Sequence, residues 1–600
     1  MCGIGGWIGE RKSWDAREMV DALKHRGPDG HGIWTSNEAC LVHTRLAILD
    51  LSTKATQPMT FPAAPSTTNS NAHVLAFNGE IYNFRKLREE LKGSGEVFQS
   101  DSDTEVLLRL LVREGSACLP KLHGMFAFAY WDGLNKRALL ARDPFGIKPL
   151  YYRNLNSTLE FASEVKALRK GNEKIDADTV RDFLLWGTSP EPGTLFQSIR
   201  QLPAGHLLRW ENGKVNIEPW NKLEFQTHHS DEKPERIARK ALQESVARHL
   251  VSDVPVGFFL SGGIDSTALL ALAREHLGPT ADIRTFSIGF SNPEFDESSA
   301  ARQTAEHFGA LHTEWQMTSN DARLEIPEFL AASDQPTIDG FNTWCVSKLA
   351  RKHGVKVVIS GLGGDELAAG YNSFRRVPNL MRAHRALGYS RPLAANLLKR
   401  LPLGSPWQRL ASFFEAPEPS WLHAFHAQRG IFTPSEAVQL TESICDIKTE
   451  PPDFDWNAPV MNPRDTVSFL ELTRYMRNQL LRDSDIFSMA HGLELRVPLV
   501  DQHLFSKLSK IPTESRLRDG KQLILDAVPE IPSWVRNRPK KGFRFPFQSW
   551  MESNFGDLLE RTEHISTTIP LTAWYRKWAV AILLQNIDHQ PITSHSSDVD

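Results

Sequence analysis

No apolar run in the chain approaches the roughly 20 residues that a membrane-spanning helix needs. A secretory leader is missing too, because ERKSWDARE arrives where an apolar segment would have to continue. Cysteine is scarce: Cys2, Cys40, Cys118, Cys345 and Cys445 are scattered, odd in number and free of any C-x-x-C spacing. That pattern argues against a zinc site or disulfide framework and predicts a reducing, cytoplasmic location. A large excess of charge of one sign is absent as well. A formal net charge of −3 gives no electrostatic reason to expect nucleic acid or a membrane surface as partner.

What is present is an ordinary globular composition, 41% hydrophobic over 600 residues, which is too long for one core and predicts at least two domains. The first ~200 residues read as strand-rich, with ACLVHTRLAIL, HVLAFNG, ALLARD, PLYYR and TLEFAS separated by turn residues. TFPAAPSTTNSNAH (60–73) reads as a mobile loop. From Lys233 the pattern changes. A helix-periodic PERIARKALQESVARHLV precedes the apolar runs VPVGFFL, RTFSIGF and VKVVISG, with helical stretches between them. Strands alternating with helices predict a parallel sheet covered on both faces. Residues 372 to about 530 read as helical, and NIDHQPITSHSSDVD as a disordered tail.

Two glycine turns carry the chemistry of the second half. FFLSGGIDST (258–267) sets Ser261, Gly262 and Gly263 between strand and helix, a geometry that aims backbone N–H groups and a helix dipole at an anion. A Walker loop would end in lysine; this one ends in Asp265 and Ser266. An acid beside a phosphate cradle calls for a divalent cation, Mg²⁺ by preference. A glycine turn capping a helix, with a solvated acid in its first turn, accounts for the segment equally well in isolation. The second loop shifts the balance. VVISGLGGDELAAGY (357–371) repeats the design and adds Asp365 and Glu366. In a parallel sheet both loops emerge at the carboxyl edge, where Asp265 and Asp365 could share one Mg²⁺ on a pyrophosphate.

SGGIDS resembles the pyrophosphate loop of ATP pyrophosphatases, and SGLGGDE resembles the partner loop of asparagine synthetases. The resemblance implies ATP contacts at Leu260, Ser261, Gly262, Gly263, Asp265, Ser266, Ile288, Ser360 and Gly361, and metal contacts at Asp265 and Asp365. RPKKGFRFP (538–546) matches the family's late basic segment, in which Lys540 would meet the charge growing on the phosphoryl group. MAHGLELRVPLVD (489–501) also fits the pattern and is expected to help build the acceptor side.

The chain opens MCGIGG. This run, with KHRGPDGHG (24–32), VHTRLAILD (42–50), FNGEIYN (77–83), SDSDTEVL (100–107) and ARDPFGIKPLYY (141–152), resembles class II glutamine amidotransferases in order and type. The implied fold is an α+β N-terminal nucleophile domain with αββα layers, followed by the α/β parallel-sheet domain with a helical C-terminal part. Once Met1 is removed, the Cys2 thiol would attack the glutamine amide and its own α-amine would relay the proton. Asn78 and the N–H of Gly79 would hold the oxyanion, Arg45 the glutamine carboxylate, and Glu80 with Asp103 its ammonium. Ammonia would then pass through an internal tunnel to the second domain.

Together these segments predict a glutamine amidotransferase domain over 1–205, a linker over 206–234, a synthetase domain over 235–560, and a C-terminal helix with tail over 561–600. Glutamine, aspartate and ATP are the expected substrates, and the resemblance leaves room for a homodimer. Two departures keep a second acceptor in view, such as a sugar uronate or a secondary metabolite. Leu362 stands where well-known relatives carry a glutamate, and DQPTIDGFNTW (334–344), with Gly340, Asn342 and Thr343, differs from the expected aspartate-site pattern.

Overall fold

The computed structural model describes residues 2–10, 15–62, 71–226, 232–292, 294–400, 404–454, 461–538, 546–554, 556–563, 565 and 569–588. The N-terminal half holds two six-stranded sheets in which every pairing between strands is antiparallel. In the first, Gly3–Ile8 lies between Ala39–Arg45 and Thr158–Ala162; in the second, His73–Ile81 pairs with Gly124–Asp132. Side chains alternate along each strand. One set (Ile4, Leu41, Val74, Ala129, Trp131) fills a core between the sheets. The outward set meets helices. Met19, Val20 and Leu23 of Ala16–Leu23 cover the first sheet, and Val106, Leu107 and Leu110 of Asp103–Glu114 cover the second. The expected αββα layering is present.

Part of the stretch read as a linker is strand. His206–Glu211 pairs with Arg137–Arg142, and Lys214–Pro219 extends the same sheet. Leu207, Leu208 and Trp210 are buried there, a signal that alternates as HLLRWE but was too short to separate from a polar connector. Within the presumed loop, Met59–Phe61 is a short strand on His73–Leu75, and residues 63–70 lie outside the described ones.

The second half is built on a five-stranded parallel sheet in the order Leu311–Met317, Arg284–Phe290, Val256–Phe259, Val357–Ile359, Glu494–Arg496. Helices including Ile264–Leu277, Ser298–His307 and Phe341–Lys352 pack against it. The three central strands are the three apolar runs of the sequence. The two edge strands, LHTEWQM and ELR, are polar, and the buried charges of Glu494 and Arg496 are tolerated because they pair with each other.

Beyond the sheet the chain is helical, with a π-helical stretch over Glu471–Leu481. Trp574–Asp588 is a helix whose Trp578, Ala579, Val580 and Ile582 join the main core, so it is not a loose appendage. That core is continuous across the two halves, running from Trp7, Val42 and Phe183 to Ile288, Phe341 and Phe487. The halves are thus held together by shared apolar surface.

Candidate functional site

The strand Gly3–Ile8 presents Cys2 beside the strand His73–Ile81. Cys2 is buried, and its backbone nitrogen donates to Oδ1 of Asn78 at 3.0 Å. With that oxygen engaged, Nδ2 of Asn78 is a buried donor without a hydrogen-bond partner among the described residues. An orphaned buried donor is costly unless a ligand completes it, and it suits a developing oxyanion. Gly79 is the next residue, at φ +155°, and a Cβ there would stand 2.1 Å from the carbonyl oxygen of Met125. Only glycine lets the two strands approach so closely at this point.

Burial pushes the Cys2 thiol up, and the Leu46 N–H and the Arg45 charge offset part of that rise. The thiol therefore needs a base. His43, two residues before Arg45 on the strand Ala39–Arg45, is pushed down to about 3 by burial and then by Arg45, so it stays neutral and does not take up a second proton at neutral pH. The nitrogen of Cys2 itself, already placed by Asn78, is the nearer answer.

Arg45 is fixed by two backbone carbonyls, Nη1 on Ser52 O at 3.0 Å and Nη2 on Asp50 O at 2.6 Å. Asp103 begins the helix Asp103–Glu114, and its Oδ2 accepts the Ile81 N–H at 2.9 Å. Burial raises Asp103 to about 6 and Glu80 well above its ordinary value, with the charge of Glu494 adding to both. Two buried carboxylates under this strain form a site that a cation would relieve. Glu494 is unlike them. Although burial works against its charge, neighbouring cations including Arg496 and Lys148 hold it down at about 2.

At the carboxyl edge of the parallel sheet, Ser261, Gly262 and Gly263 follow the central strand, and Ser360 to Gly364 follow its neighbour. Leu260 anchors the first loop through its N–H on Phe286 O at 2.9 Å, and Ser261 and Ser266 face each other across it, hydroxyl to hydroxyl at 3.2 Å. Gly262 has φ +65° and presses on the helix Ser298–His307. The loops interlock: a Cβ at Gly361 would sit 3.0 Å from Asp265 Cβ, and one at Gly364 would sit 2.3 Å from Asp265 Oδ1. Ile288 is buried in the adjacent strand, two residues before its end.

Asp265 and Asp365 do converge, and between them lies a residue the sequence reading missed. Nζ of Lys521 pairs with Asp265 and, at 2.7 Å, with Asp365. Burial alone would lower this lysine, and the two carboxylates outweigh it and raise it. It occupies a left-handed position, φ +61°, before the helix Gln522–Ala527. Nothing in DGKQLILDA singles it out, because its partners lie far away in sequence. Lys540 falls outside the described residues.

Glu366 is buried and raised to about 8, by burial first and then by Asp365 and Glu471; it accepts the Tyr371 hydroxyl at 2.9 Å. Tyr371 and Tyr475, set edge to face, both contact the Arg429 guanidinium, with centroids 4.3 and 4.0 Å from its carbon. Leu362 packs against the core around the sheet. The 334–344 segment divides in two. Asp334 accepts the N–H groups of Val165 and Lys166 at 2.7 and 2.9 Å, and Gln335 that of Leu195 at 2.8 Å, so its first part docks the N-terminal domain. Its second part, through Asp339 and Asn342, lines a cavity of about 990 Å³ shared with Trp186, Arg429, Tyr475 and Trp574.

Within MAHGLELRVPLVD, which was expected to help build the acceptor side, His491 packs on Trp344 at 4.1 Å, and Glu494–Arg496 reaches the amidotransferase half. There Arg496 faces Glu80, and nearby Arg26 joins the Cys2 carbonyl at 3.1 Å to Glu164 and Asp485, each at 2.6 Å.

Comparison with known proteins agrees with this division. Residues 1–221 match the family described as glutamine amidotransferase domain, and residues 238–591 match that described as asparagine synthase. Asparagine synthetase [glutamine-hydrolyzing] 1 of Bacillus subtilis (strain 168) is 31% identical over 93% of this chain and 89% of its own length. Asparagine synthetase B [glutamine-hydrolyzing] of Escherichia coli (strain K12) is 32% identical over 62% of this chain and 63% of its own. The chain belongs to the asparagine synthase family, with a glutamine amidotransferase domain preceding its synthase domain.

Proposed function

We propose that the protein is a glutamine-dependent asparagine synthetase, a carbon–nitrogen ligase that converts aspartate, glutamine, ATP and water to asparagine, glutamate, AMP and pyrophosphate. The observation that carries this reading is the meeting of Asp265, Asp365 and Lys521 where two glycine loops leave neighbouring parallel strands. In the first domain the Cys2 sulfur attacks the glutamine amide carbon, and its proton passes to the amine that Met1 removal exposes. The oxyanion is met by Nδ2 of Asn78 and the N–H of Gly79, and collapse expels ammonia. Water then releases glutamate from the thioester.

In the second domain the aspartate side-chain carboxylate attacks the α-phosphorus of ATP, giving an acyl-adenylate and pyrophosphate. Ammonia adds to the acyl carbon and displaces AMP. Lys521 places a fixed positive charge between the loops, suited to a leaving pyrophosphate. The donor set fits Mg²⁺, since Asp265 and Asp365 offer hard anionic oxygens and the glycines at 361 and 364 keep the space beside Asp265 free of side chains. Asp265 and Asp365 would hold the ion, which supplies neutralisation of pyrophosphate charge when bound. No disulfide joins any two of the five cysteines, which supports a reducing, cytoplasmic setting.

A second reading is favoured by one observation, the cavity bounded by Asp339 and Asn342. Its volume of about 990 Å³ lies at the top of the range for drug-sized ligands and exceeds what aspartate requires. Under that reading the same chemistry amidates a larger carboxylate. Pyrophosphate release from MgATP, measured with aspartate and then with a panel of carboxylates, separates the two. Release with aspartate supports the first; release only with a larger carboxylate replaces it with the second.

A further inference from the structure

Arg496 ends an edge strand of the synthetase sheet and is completely buried. Three of its contacts are fixed. Nε donates to Glu494 Oε1 at 2.6 Å, and Nη1 donates to the carbonyls of His249 at 2.8 Å and Val251 at 2.6 Å. These hold the guanidinium plane so that Nη2 faces Glu80 Oε1 at 3.3 Å, across the boundary between the halves. Nη2 makes no hydrogen bond there, so the pairing is one of charge. The ring of Tyr82 lies beneath, 5.9 Å from the guanidinium carbon, and is itself packed on His249 at 4.2 Å.

We infer that Arg496 is a positioning residue for glutamine, contributed by the synthetase domain, which sets its positive charge against Glu80 and directs that carboxyl group toward the substrate ammonium. The inference rests on the glutaminase reading above. Glu80 is faced by Glu494 from the same strand as Arg496, by Asp103 from the helix Asp103–Glu114, by Tyr82, and by the amino end of the chain. Without Arg496, three buried carboxylates confront one another with less positive charge, and Glu80 is driven further toward its neutral form. A neutral Glu80 accepts an ammonium poorly. The backbone of Arg496 adds a second tie, because its carbonyl accepts the N–H of Ser360 at 2.9 Å, inside the second glycine loop. One residue therefore touches both sites: its side chain the glutamine pocket, its carbonyl the nucleotide loop.

The test is steady-state glutamine hydrolysis by the full chain across pH 5.5–9, in the unaltered enzyme, Arg496→Met and Arg496→Lys. Arg496→Met is expected to raise KM for glutamine by about tenfold or more, with kcat changed far less, and to move the acidic limb of kcat/KM to higher pH. Arg496→Lys restores part of both. Synthesis from ammonium salts reports that the variants are folded. If Arg496→Met does not fold, Glu80→Gln serves instead: it raises KM similarly and flattens the acidic limb, and adding Arg496→Lys to it raises KM no further. A folded Arg496→Met with unchanged KM and limb overturns the inference, as does a Glu80→Gln enzyme with unchanged KM. Absence of glutamine hydrolysis in the unaltered enzyme overturns this inference and the glutaminase reading together.

Discussion

The backbone nitrogen of Cys2 lies 3.0 Å from Oδ1 of Asn78, and that one contact sets both parts of the amidotransferase site. It places the nitrogen that becomes the α-amine, and it turns Nδ2 of the same amide into an unfilled buried donor. Cys2→Ala should abolish glutamine hydrolysis and glutamine-driven synthesis while ammonium salts still support product formation. Asn78→Ala should lower kcat for glutamine by about 10²–10³. Mass spectrometry should find Met1 removed; a mature enzyme that keeps Met1 and remains fully active with glutamine contradicts the amine's role.

The acids of the glutamine pocket predict a pH limb. Asp103 is raised to about 6, by burial first, and must be ionised to hold the substrate ammonium. The proton is bound below that pH and lost above it, so kcat/KM for glutamine should fall as pH drops through about 6. Asp103→Asn should weaken this limb and raise KM. With His43 at about 3, that histidine does not supply the limb, and His43→Gln should leave it in place.

Lys521 and its two carboxylates predict a separation of the half-reactions. Lys521→Met removes the ammonium group that Asp265 and Asp365 share. Acceptor-dependent pyrophosphate release should drop by at least about 10², the scale of losing one preorganised charge at the reacting centre, with glutamine hydrolysis preserved. Asp365→Asn should do the same. ADP in place of AMP among the wild-type products would show that the adenylation assignment is wrong.

Arg26 predicts a stability effect. It is fully buried and bridges Glu164 of the first half to Asp485 of the second, at 2.6 Å each. Arg26→Met leaves Glu164 to His25 and Lys166 and Asp485 to Lys148, so the cost should fall below the ~3–5 kcal/mol typical of leaving a buried charge unpaired. Thermal unfolding should show a clear fall in the melting temperature, visible in both halves because they share one core.

Legibility differed with distance along the chain. Cys2, Asn78, Gly79 and Asp265 lie in short glycine-bearing segments whose local geometry and chemistry coincide, and their elements were readable from sequence. The three apolar central strands were equally plain. Lys521 and Arg496 were not, since their meaning comes from partners 256 residues away at Asp265 and across the domain boundary at Glu80. The edge strand Glu494–Arg496 carries two charges in three residues, which hides a buried strand from any reading by periodicity. The 334–344 segment looked like acceptor chemistry, yet Asp334 and Gln335 spend their side chains on docking the other half.

The central claim is that nitrogen leaves glutamine at Cys2 and arrives on a carboxylate activated beside Lys521. Purified enzyme given MgATP, aspartate and glutamine labelled with ¹⁵N in the side-chain amide measures this directly. The account predicts asparagine carrying ¹⁵N in its side-chain amide, formed in equal amount with AMP and pyrophosphate, with unlabelled glutamate alongside. Labelled ammonia and glutamate without labelled asparagine would contradict it.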